Sequence, residues 1–170
     1  YGPMGRPDMA YYSFTKNIME GKSINVFNHG KLSRDFTYIS DIVDGIVRCL
    51  QVDYDYEILN LGRGEPQELM TFIRTIEAAV GKKAVLNFQP MAKGDVLTTY
   101  ADVSKARRLL GYNPKVSLQE GIENFVELRM LCCLLVAILD WRYICLLIDR
   151  CSRSGIIDIM MTDNIGLFLC

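Results

Sequence analysis

Apolar residues in this chain recur at two spacings that take turns along it, and this alternation most narrows the folds open to it. Behind Ser40-Asp41, residues Ile42, Val43, Ile46, Val47 and Leu50 return at the interval of one helix face. Leu69, Phe72, Ile73, Ile76 and Val80 do the same, with Pro66 suited to a first helical position and Gly81 to a C-terminal stop. Asp102 suits the start of a short helix closed by Gly111. Ser117 and Glu120 form a capping box ahead of Leu118, Ile122, Phe125 and Val126. Between these stand short β-rich runs: INVF at 24–27, DFTYI at 35–39, ILNL at 58–61 and AVLNF at 84–88. Strands alternating with helices predict an α/β fold.

A chain of 170 residues has the length of one domain with a sizeable core. Its formal net charge of −1 supplies no field to gather nucleic acid or an anionic membrane, so neither is expected as a partner. The six cysteines are Cys49, Cys132, Cys133, Cys145, Cys151 and Cys170, spaced neither as zinc ligands nor as a disulfide framework. A reducing, cytoplasmic setting is the expectation. Tyr1-Gly2-Pro3 opens the chain without an apolar signal core or an initiator methionine, which is what an internal piece of a longer protein would show.

The vocabulary changes at Glu127. Beyond it there is no Lys, Glu, Pro or Gln, and Cys132, Cys133, Cys145, Cys151 and Cys170 all lie there. Such a switch marks a boundary, with 1–127 as one part and 128–170 as an unrelated hydrophobic, Cys-rich tail. Translation in a shifted frame past Glu127 would produce a tail of this kind. Its longest apolar run, 131–139, is about half the ~20 residues of a membrane helix. Extending it to 148 takes in Asp140 and Arg142, each costing roughly 2.5–3.5 kcal/mol near a bilayer centre, so a spanning helix is disfavoured.

One short motif invites a catalytic reading. In YYSFTK, Tyr12 precedes Lys16 by one helical turn, the spacing at which an ammonium can lower a phenol's pKa and make it a general base. Tyrosine and lysine are common, however, and a two-residue pattern is weak. A dinucleotide site would need a Gly-rich turn between strand and helix, with an acidic residue about 20 positions on. Gly62-Arg63-Gly64 has no third glycine in register and reads as a loop after a strand.

The opening YGPMGRPDMA resembles the Y-G-P-x-G-R-P-D-M-A signature of UDP-glucuronate 4-epimerases, which belong to the extended short-chain dehydrogenase/reductase family. FTKNIMEGKSINVFNHG, RDFTYISDIVDGIV, MAKGDVLTTYAD and LLGYNPKVSLQEGIENFVE continue the resemblance in order up to about Glu127. The resemblance implies the C-terminal part of a Rossmann-like enzyme, without the N-terminal dinucleotide-binding strands. It implies that the intact enzyme, a homodimer, uses bound NAD to oxidise and reduce C4 of the sugar, interconverting UDP-glucuronate and UDP-galacturonate. The family's catalytic Tyr-x-x-x-Lys lies upstream of Y-G-P, which makes Tyr12 and Lys16 a decoy. For this chain alone the expectation is a UDP-sugar partner, no bound NAD, no epimerisation, and poor folding or self-association. A sister dehydratase or decarboxylase, or a non-catalytic truncated product, is the alternative.

The same resemblance implies substrate-binding positions. Arg34 matches the family's diphosphate-contacting arginine; the other reading is a surface arginine at a strand end. Arg6 either aims at the sugar end or pairs with Asp8 to hold its turn. Asn25 and Phe27 match the residues that give uracil backbone donors and a stacking surface, with Met9 and Ala10 lining the same pocket; Phe27 as ordinary core is the rival. Asp95 suits ribose hydroxyls or orients a neighbouring basic side chain, or is a turn aspartate. The family's M-Q-P-G-D reads here Met91-Ala92-Lys93-Gly94-Asp95, so Ala92 lacks a long polar side chain that Lys93 would have to replace. His29, in an Asn-His-Gly turn, is assigned no role.

Overall fold

The computed structural model describes residues 1–53 and 56–153, with side chains in the last helix described as far as 135 and at 138. Cys170 lies outside the described residues, as do the side chains of Cys145 and Cys151 and the part of the 128–170 tail from 154 onward. The chain forms two compact units, Tyr1–Val126 and Glu127–Cys170.

The first unit is a mixed α/β fold with two small sheets. Strand β1 (Ser23–Val26) alternates exposed and buried residues, the period of a strand with one covered face. Its inward Ile24 and Val26 are 1% and 0% exposed. Parallel strand β4 (Val85–Phe88) lies beside it, with Ile24 opposite Leu86 and Asn25 opposite Asn87. Helices α1 (Ala10–Met19) and α3 (Leu69–Val80) supply Tyr11, Ile18, Phe72, Ile73 and Ile76 to the core against them. Gly81 ends α3 at φ 74°, the left-handed conformation that a glycine adopts without penalty.

The second sheet is made of three two-residue strands. Central β2 (Ser33–Arg34) runs antiparallel to β3 (Gln67–Glu68) and parallel to β5 (Thr98–Thr99). A smaller core of Val103, Ala106, Leu110 and Tyr112 forms around α4 (Ser104–Leu110), with Leu59, Leu61 and Cys49 packed against it. Asp102 was expected to cap α4, but Val103 holds the N-cap position without a side-chain cap bond; Asp102 Oδ1 accepts instead from the Ser104 N–H that follows it, at 3.0 Å.

Helix α2 (Ile39–Cys49) is fixed through its first turn. Asp41, 7% exposed, accepts from the Lys115 and Val116 backbone N–H groups at 3.0 and 3.1 Å. These donors lie just before α5 (Leu118–Arg153), so one carboxylate ties the start of α2 to the start of α5. Half of the expected capping box is present there, with Glu120 N–H donating to Ser117 Oγ at 3.1 Å. Ile122 and Phe125 are then fully buried in the main core.

Three further expectations are corrected. DFTYI is not a strand: 35–38 carry no ladder, and Ile39 already begins α2. Its side chains serve loops instead, while Phe36 stacks on Phe72 with ring centroids 4.1 Å apart. Residues 58–61 form no strand among the described residues. Pro66 is outside α3 because Gln67 and Glu68 stretch out to pair with β2, delaying the helix to Leu69.

In the second unit, the backbone described beyond Glu127 is helical, part of α5. Leu131, Leu134, Leu135 and Ile138 on it are at least half exposed. Among the described residues no helix is long and apolar enough to cross a membrane.

Candidate functional site

Arg34 and Asp95, 61 residues apart in sequence, meet as an ion pair with Nη2 donating to Oδ1 at 2.5 Å. The parallel pairing of β2 with β5 brings this about by placing Ser33 beside Thr98 and Arg34 beside Thr99, which sets the preceding loop against the arginine. Arg34 Nη1 also donates to the carbonyls of Ser33 and Leu97, at 2.8 and 3.3 Å. A guanidinium has five N–H donors. Three are committed in this way, which fixes the fork, and among the described residues Nε–H and one Nη2–H have no partner. Of the two readings of Asp95 as a ligand for hydroxyls or an orienting partner, this geometry contains the second. Val96 N–H donates to the same Oδ1, at 2.9 Å.

Asn25 lies on the exposed face of β1 and accepts from Asn87 Nδ2 at 2.9 Å across the β1–β4 pair. Phe27 directly follows β1 in the tight turn Phe27–Gly30 and is 41% exposed, so it is not ordinary core. Phe88, at the end of β4, is 48% exposed and stacks with His29, centroids 6.4 Å apart. The ends of these two parallel strands therefore present open aromatic faces. His29 takes φ 50° and Asn28 φ 48°, an unusual conformation for non-glycine residues that shapes this turn.

Arg6 takes the turn-holding reading. Its Nε and Nη2 both reach the Asp8 carboxylate, in an exposed fork with the arginine side chain 72% accessible. Hydrogen bonding to Arg6 holds the Asp8 carboxyl below its ordinary range. Arg6 and Met9 line one side of a cleft of about 490 Å³, with Tyr1, Pro3, Tyr11 and Ile39 among its other walls. Burial pushes the Tyr1 and Tyr11 phenols above their ordinary values, so neither supplies a phenolate at neutral pH. Ala10 packs against the core and is not among the cleft residues.

Gly62-Arg63-Gly64 is a loop, but not one shaped to take a pyrophosphate. Arg63 N–H donates to Thr37 Oγ1 and Gly64 N–H to Asp35 Oδ2, both at 2.9 Å. Amides that would cradle phosphate are thus already engaged, and the chain leads on into β3 rather than a helix N-terminus. These residues do not fit a dinucleotide. Tyr12 and Lys16 share α1, where the Tyr12 ring lies against Phe125 and the Lys16 ammonium is 3.9 Å from Glu20. Among the described residues no cluster of three or more His, Cys, Asp or Glu is placed to hold a metal ion.

Two features escaped the reading of the sequence. Asp35 Oδ2 gathers the Gly64 and Ala101 amides at 2.9 and 3.2 Å, organising the loops beside Arg34. Its position next to Arg34 was the only local sign. Phe88 pairs with the turn at His29, a relation set by the β1–β4 register and invisible until that pairing is known.

Comparison with known proteins agrees with this architecture. The chain matches the family model described as GDP-mannose 4,6 dehydratase over residues 7–125. It is 58% identical over 125 residues to an uncharacterized protein of Methanocaldococcus jannaschii, covering 74% of this chain and 38% of the relative. To the UDP-glucuronate 4-epimerase of Thermodesulfobacterium geofontis it is 44% identical over 128 residues, covering 75% of this chain and 39% of that one. The crystal structure of UDP-glucuronic acid 4-epimerase from Bacillus cereus, in complex with UDP-glucuronic acid and NAD, is similar with a TM-score of 0.72 and 38% identity. That likeness covers 77% of this chain and 43% of the other. The chain therefore spans about two fifths of the length of the curated relatives it matches.

Proposed function

Because this chain belongs to the GDP-mannose 4,6 dehydratase family, we propose that residues 1–127 are the sugar-nucleotide-binding part of a UDP-glucuronate 4-epimerase-like enzyme. The whole enzyme would interconvert UDP-glucuronate and UDP-galacturonate at C4, with NAD supplying the hydride chemistry when bound. This portion contributes binding and orientation.

The observation that carries the proposal is the Arg34–Asp95 pair. A diphosphate calls for a planar cationic fork held in place before the ligand arrives. Arg34 is such a fork: Asp95 and two carbonyls hold it, and two N–H donors remain. The exposed Phe27 ring at the end of β1 offers a flat apolar face for uracil, with Asn25 beside it. Met9 and Ala10 complete the uracil pocket in this reading, while Arg6, held by Asp8, keeps its turn at the edge of the 490 Å³ cleft. Residues 128–170 stand apart from this role, a division supported by the unit boundary between Val126 and Glu127. If the tail comes from a shifted frame, a one- or two-base correction near codon 127 of the coding DNA restores a family-like ending. If neither other frame does so, that origin is excluded.

Saturation-transfer NMR of the purified chain with UDP-glucuronate and NAD tests the proposal. Transfer to uracil and ribose protons with no UDP-galacturonate formed is expected; absence of transfer, or turnover, contradicts it. The family's description as a dehydratase favours a second reading, a sister activity on the same scaffold. Comparing UDP-glucuronate with GDP-mannose in the same experiment separates the two.

A further inference from the structure

Two consecutive residues hold strand β5 at its two ends. Arg34, on β2, grips the segment ahead of β5 through Asp95 Oδ1 at 2.5 Å and the Leu97 carbonyl at 3.3 Å. Asp35 grips the segment behind it, where Oδ2 accepts from Ala101 N–H at 3.2 Å. The same oxygen accepts from Gly64 N–H at 2.9 Å, which draws the 62–64 loop against residue 101. Gly62 permits this approach, because a Cβ there would stand 2.7 Å from Ala101 Cβ and 2.9 Å from Asp35 Oδ2. Thr37 fastens the same loop separately, accepting from Arg63 N–H at 2.9 Å. Among the described residues its side chain makes no hydrogen bond to the 95–101 segment.

A two-residue strand makes few ladder bonds, so what flanks it decides where it sits. Here that placement matters for Arg34. Two of the three groups that hold its guanidinium, Asp95 and the Leu97 carbonyl, lie on the segment leading into β5. Release of residue 101 frees that segment to slide along β2, and both contacts lengthen together. Asp35 Oδ1, by contrast, is buried with no hydrogen-bond partner among the described residues. An acceptor left in that state costs stability. What the carboxylate contributes therefore lies in Oδ2 and the two amides it places.

We propose that Asp35 is a positioning residue for the Arg34 fork: by fixing residue 101 it fixes β5, and through β5 the contacts that hold the guanidinium. The proposal rests on the functional reading above for what the fork grips, whereas the positioning belongs to the chain without ligand. Asp35 acts as an acceptor and not as a charge. The ion-pair partner of Arg34 is Asp95, and Asp35 needs only one oxygen where Oδ2 stands. Asparagine supplies that oxygen from its carboxamide; alanine supplies none. A fork held before its ligand arrives loses less freedom on binding, so loosening it weakens the grip.

NMR relaxation of the Arg34 Nε–H group in the 170-residue chain tests this, with the signal assigned by its loss in Arg34→Lys. The order parameter is expected near the rigid-backbone value of about 0.85 in the wild type and below about 0.6 in Asp35→Ala. Asp35→Asn and Thr37→Val should keep the wild-type value. Circular dichroism verifies the fold of each variant. Where Asp35→Ala does not fold, Asp35→Glu takes its place, because the longer arm displaces the acceptor oxygen while keeping its charge, and the same loosening is expected. An Arg34 that is mobile in the wild type, or that stays ordered in Asp35→Ala or its substitute, overturns the proposal. Loosening by Asp35→Asn overturns it as well, as does equal loosening by Thr37→Val, which would mark a general effect of the 62–64 loop. In titration with UDP, Asp35→Ala should weaken binding roughly fivefold, and joining it to Asp95→Asn should cost less than the product of the two effects. A simple product contradicts action through the same fork. A wild-type chain with an ordered Arg34 that ignores UDP counts against the functional reading and not against the positioning role.

Discussion

Arg34 illustrates how one side chain is prepared by several weak constraints. Two carbonyls and one carboxylate hold its guanidinium, and each comes from the local pairing of β2 with β5 or the loop before it. Arg34→Ala is predicted to weaken UDP binding at least tenfold, about 1.4 kcal/mol, by titration. Asp95→Asn should cost less, about threefold, since the two carbonyls still hold the fork. Glu77 provides a pH signature. Burial alone would raise its carboxyl, but the Ala84 amide and Lys83 ammonium outweigh that and lower it from 4.5. The unfolded chain then takes up the proton first, so stability is held above about pH 4.5 and falls as acid titrates the native carboxylate. Glu77→Gln should flatten that part of the profile in chemical denaturation. Residue-level roles were legible where partners are near in sequence, as in Arg6 with Asp8. They were not legible for Asp41, whose partners Lys115 and Val116 reach it only through the folded chain.

At the scale of elements, helices were the clearest message in the sequence, because a 3.6-residue stripe needs no distant partner to be recognised. The stripe of α2 was visible too, but not that much of it would face outward, since direction depends on what lies on either side. Strands fared worse for the same reason. The runs at 35–39 and 58–61 have β-rich composition, yet a strand exists only beside another strand. Gly81 and Phe125 test the elements that were read well. Gly81→Ala has open space for its Cβ but must hold φ 74°, so it should cost about 1 kcal/mol of stability from backbone strain alone. Phe125, fully buried against the Tyr11 ring at 4.9 Å, should cost about 3–5 kcal/mol when replaced by Ala. Urea denaturation measures both, and a larger loss for Gly81→Ala than for Phe125→Ala would contradict this ranking.

For the molecule as a whole, what matters is which part of the longer relatives these residues match. Fold class was legible from alternating periodicities, and the candidate site from motifs kept in order between Tyr1 and Glu127. How those motifs converge was not, because the β2–β5 pairing that joins Arg34 to Asp95 involves two-residue strands too short to announce themselves. The Arg63 and Gly64 amides are engaged by Thr37 and Asp35, whereas the Arg34 fork keeps donors without a partner among the described residues. Calorimetric titration of the folded chain with UDP and, separately, with NAD weighs these two facts against each other. Saturable heat with UDP and none with NAD is the predicted result; a folded sample that binds NAD and ignores UDP would contradict it.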